Sequence, residues 1–126
     1  WKGVCGGDRI PSKGEIQRML MGASLLLFCG ISPLLACLES YLIAPLSLTS
    51  CQCAVLLDHA DNESSNRGQS KADTTALPSS VALRAPFATC ALLSLRGVLA
   101  VASNQWATDA STNHARAQAL VRERLV

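Results

Sequence analysis

Aromatic anchors and charge are both scarce in this chain, which has two Trp, one Tyr and two Phe among 126 residues and charged side chains at 16%. Soluble domains carry roughly 25% charged residues and take much of their core area from aromatic rings. The shortage removes the usual means of filling a core in water, whereas a helix in lipid has its apolar surroundings supplied. Catalytic signatures are missing too. There is no Gly-rich phosphate loop, no HExxH, no GxSxG and no carboxylate pair in a recognisable context, so no reaction is specified and the chain reads as a non-enzyme. A net charge of +2, with no Lys/Arg cluster interleaved with aromatics, excludes nucleic acid as a partner. His59 and His114 lack companions at ligand spacing apart from Asp58 and Asp61, and read as surface histidines because a metal needs several convergent ligands.

What the chain has is apolar length. Hydrophobic residues make up 49% and the mean hydropathy is +0.27. Residues 19–57 carry a single formal charge, Glu39. A bilayer core of ~30 Å is crossed by about 20 apolar helical residues, so the stretch is long enough to span. The expected fold is all-α: a small integral membrane protein built as a two-helix transmembrane hairpin with a short C-terminal helix. Residues 1–18 form a polar arm. Ser12 and Glu15 make a capping box that starts a helix near Lys13. The first span covers 19–42, kinked at Pro33 and anchored at the interface by Tyr41. Residues 43–57, interrupted by Pro45 and several polar side chains, form an interfacial segment, and 58–80 a polar loop. The second span covers 81–103, where Leu83, Phe87, Leu92, Leu93, Leu95, Val98, Leu99 and Val101 outweigh Arg84 and Arg96. The C-terminal helix lies within 104–126, with Thr108, Asp109 and Ser111 as candidate caps.

Charge then sets orientation. Residues 1–18 hold four basic groups and 104–126 hold three, against two in 58–80. The excess of Lys and Arg at both ends places both termini on the cytoplasmic, matrix or stromal side of the membrane, an organellar inner membrane or a thylakoid. The chain opens at Trp1 without an initiator Met. That predicts either a mature form whose leader was removed, as in organellar import, or a fragment.

The candidate contact residues follow from the helices. Ser32, Ala36, Ser40 and Ala44 recur every four positions, a ladder of small side chains along which a second helix approaches closely. Thr89, Arg96 and Ser103 recur every seven and form a polar stripe facing protein or water. Glu39 and Arg96 lie at different depths in the hairpin and do not pair. Asn62 opens an Asn-Glu-Ser sequon for glycosylation. The six cysteines, at 5, 29, 37, 51, 53 and 90, read as structural: 51 and 53 form CxC, which lacks the spacing of redox pairs and zinc knuckles.

Leu34-Leu35-Ala36-Cys37, preceded by an apolar run and by Lys13 and Arg18, resembles the lipobox of bacterial lipoproteins. The resemblance covers four residues and implies a lipidated Cys37. The leading expectation is a small non-catalytic accessory subunit that stabilises a larger membrane complex by helix packing, with other membrane subunits and the bilayer as partners. The alternatives are a free-standing membrane protein with a ligand-binding loop, a lipoprotein-like chain, a soluble helical core in 19–57, or a reading frame without selected function. No cofactor is predicted, and no residue specifies a lipid or pigment.

Overall fold

A computed structural model describes residues 12–30, 33–58, 67, 70–71, 74–75, 77–78, 86–104, 106 and 108–124. The elements run α1 (Lys13–Gly22), β1 (Leu25–Cys29), α2 (Leu34–Cys37), α3 (Ser40–Ile43), β2 (Cys53–Leu57), α4 (Pro86–Leu95), β3 (Ala100–Ser103) and α5 (Ala110–Arg124). The three strands form one parallel sheet in the order β1-β2-β3. The architecture is α/β, and the expected all-α transmembrane hairpin is incorrect.

Among the described residues no helix is long and apolar enough to cross a membrane. The expected first span, 19–42, is divided among α1, β1, α2 and α3. The interfacial segment contains β2, and the second span contains α4 and β3, its residues 81–85 lying outside the described set. The physical reason lies in parallel pairing. A strand of a parallel sheet, apolar on both faces, reads as an unbroken hydrophobic run and imitates part of a span. The integral-membrane placement, the organellar inner membrane or thylakoid and the orientation of the termini rested on those spans and go with them. Tyr41 is no interfacial anchor: Lys13 Nζ donates to its hydroxyl at 2.9 Å, which ties α1 to α3.

The capping box forms as the sequence suggests. The Ser12 hydroxyl accepts from Glu15 N–H, and the Glu15 carboxylate accepts from Ser12 N–H at 2.8 Å, so α1 begins at Lys13. Parallel strands need a crossover between them, and the described core residues of both crossovers pack on one face of the sheet. That face is set by register. Leu26, Ala54 and Val101 form one row and Phe28, Leu56 and Ser103 the next. Against it pack Leu34, Leu35, Leu38, Ile43, Leu46 and Leu48 from the first crossover and Leu93 from the second, with Leu20 of α1. Ala54 at the centre is 0% exposed. Leu34-Leu35-Ala36-Cys37, the segment resembling a lipobox, is α2 itself, with Leu34 and Leu35 buried in this core.

The opposite face presents Leu25, Leu27 and Cys29, then Cys53, Val55 and Leu57, then Ala100 and Ala102. Asn104 follows the parity of Ala100 and Ala102, and its hydrogen bond to Asn113 brings α5 to that side. The helix expected within 104–126 is thus present as α5, packed at the sheet's far edge against β1.

α4 ends in a Schellman motif. Val98 N–H donates to Leu93 C=O at 3.1 Å and Gly97 N–H to Ser94 C=O at 3.0 Å, with Gly97 at φ +106. Buried Leu93 and Val98 supply the apolar contact that accompanies this cap. Only glycine suits position 97. Besides the positive φ, a Cβ there would stand 2.8 Å from Thr49 Cγ2 and 3.1 Å from Thr49 N. Gly97→Ala is expected to lower the unfolding free energy by roughly 1–3 kcal/mol. The denaturant midpoint measures this, and an unshifted midpoint would mean that the turn opens at no cost.

Candidate functional site

The carboxyl ends of parallel strands are where open α/β sheets place ligands, and here polar side chains gather at those ends. Asp58 follows β2 directly. It is 4% exposed, and its Oδ2 accepts from Leu34 N–H at 2.8 Å. The α2 N-cap position is Pro33, whose side chain offers no hydrogen bond, so the carboxylate from the neighbouring strand caps that helix. Asn104 follows β3. Its Nδ2 donates to Asp58 C=O at 3.2 Å and to Asn113 Oδ1 at 2.7 Å, and its Oδ1 accepts from an Arg116 N–H at 3.1 Å. Asn113 is itself buried, with Nδ2 left unpartnered.

This arrangement joins elements. The carboxylate is committed to a backbone N–H, and the two amides and the guanidinium bond to one another. Among the described residues no group of His, Cys, Asp and Glu is disposed to hold a metal ion. His114 lies on α5, hydrogen-bonded to Gln118 at 2.9 Å, and His59 is outside the described residues. Cys29, Cys51, Cys53 and Cys90 are free thiols. Burial pushes the Cys51 thiol up, away from the thiolate form. Cys90 Sγ and Ser103 Oγ lie 3.2 Å apart, aligning α4 with β3.

The residues expected to make contacts are dispersed. Ala36 is in α2, Ser40 opens α3 and Ala44 caps its end, while extended backbone at Leu38 and Glu39 separates the two helices. The ladder therefore does not share one helix. Ser32 and Asn62 lie outside the described residues. Thr89 is buried in α4, Arg96 follows it and Ser103 sits in β3, so the seven-residue stripe is divided between a helix and a strand. Arg96 donates to Ala44 C=O at 2.6 Å, with its Nε buried and unpartnered, and Glu39 pairs at 3.5 Å with Lys13. Glu39 and Arg96 remain apart.

Among the described residues the most exposed large apolar side chains lie on either side of β3 and on α4. Leu99, just before the strand, is 85% exposed and Trp106, just after it, 81%. On the outer side of α4, Phe87 is 83% exposed and Leu95 74%. β3 is an edge strand, and its sequence, Ala-Val-Ala-Ser, carries none of the lysines, prolines or inward charges that guard such edges. The sequence reading assigned Phe87, Leu95 and Leu99 to a span. Their hydrophobicity was visible, but the solvent they face was not. No family model, characterised protein or solved structure matches this chain.

Two outcomes follow from the polar ties. Asn104→Ala strands the Asn113 Oδ1 and the Asp58 carbonyl, and is expected to cost roughly 1–3 kcal/mol of stability in chemical denaturation; a neutral substitution would show that α5 is held by packing alone. Asp109 caps α5, accepting from the Ser111 hydroxyl and from Thr112 N–H and hydroxyl, and these bonds hold its carboxyl well below the ordinary value of 3.8. A lowered folded-state pKa contributes stability that is complete above the unfolded value and is lost as pH falls through the folded one. The thermal-stability gap between the unaltered chain and Asp109→Ala should be constant above pH 3.8 and shrink in more acid solution. A gap independent of pH would leave the cap no electrostatic part.

Proposed function

We propose that this chain is a non-catalytic assembly protein that joins a protein partner through the open β3 edge and its apolar border. The observation that carries the reading is the exposure of Leu99 and Trp106, at 85% and 81%, on either side of one unguarded strand. Scattered apolar residues are ordinary on a protein surface, but apolar residues on either side of a strand edge that is unpaired among the described residues mark an interaction surface. Magnitudes indicate what such a surface requires. Burying one large apolar side chain stabilises by about 1.5–3 kcal/mol, while association costs an estimated 4–15 kcal/mol. The border alone is marginal, so the backbone edge has to contribute hydrogen bonds. The absence of catalysis is supported by the strand-end polar groups, which are engaged in holding α2 and α5. Assembly through helix packing in a bilayer is replaced by assembly through a sheet edge.

Position-specific photo-crosslinking tests this. A benzophenone side chain introduced at Leu99 is expected to give a discrete higher-mass adduct in cell extract. The same group at Glu123, exposed on α5, should give none. Adduct formation that is equal at both positions, or absent from Leu99, rejects the assembly reading.

A further inference from the structure

We draw no further inference here: the strongest candidate, the β3 edge between exposed Leu99 and Trp106 as a seat for one particular partner, offers backbone groups that any extended chain fits, and nothing in the structure shows what covers it.

Discussion

β2 is hydrogen-bonded on both sides, and the rest of the molecule is placed by that fact. Its five residues pair with Leu25–Cys29 on one edge, and its first four with Ala100–Ser103 on the other, all in parallel. A parallel partner cannot be reached by a tight turn, so the chain has to cross the sheet between strands. With neighbouring strands in sequence order, crossovers of one hand lie on one face. The leucines of both crossovers meet there over Ala54, where a small side chain lets helical segments come close to the sheet.

The strand ends show how such a sheet controls its polar groups. Each connection leaving a strand must begin somewhere, and its first N–H groups have no partner within their own helix. Asp58 resolves this for α2 by lending a carboxylate from the adjacent strand, and Asn104 relays the same junction to α5 through Asn113 and Arg116. A location that hosts ligands in larger sheets of this class is here taken up by internal ties. That leaves the β3 edge, which pairs with no further strand among the described residues.

How much of this was legible in the sequence depends on the distance over which the signal acts. Local signals were readable. The Ser12/Glu15 capping box, the helix beginning at Lys13 and the capping residue Asp109 each depend on side chains within three positions of one another. The strands were not, because Leu-Leu-Leu-Phe-Cys and Cys-Ala-Val-Leu-Leu have no alternation to distinguish them from helix. The corrective signal was present in the breakers. Gly22 closes α1, Gly30 follows β1, Pro33 precedes α2 and Pro45 follows α3, dividing residues 19–57 into pieces too short to span. The open edge was beyond reach, since nothing in Ala-Val-Ala-Ser says which side of the strand is paired. Only the register against β2 decides that.

The parallel order also fixes a sequence of events in time. Cys53 pairs with Leu25 behind it and with Ala100 far ahead of it. As the polypeptide leaves the ribosome, β1 and β2 are available well before β3, and β2 is then the outermost strand, with Cys53–Leu57 bare along one side. Long-range pairings of this kind form slowly, and a naked hydrophobic strand is prone to mispairing while it waits. Newly made chains are thus most at risk during the interval before α4 and β3 emerge, and productive folding is a race between translation of that last third and capture of β2 by the wrong neighbour.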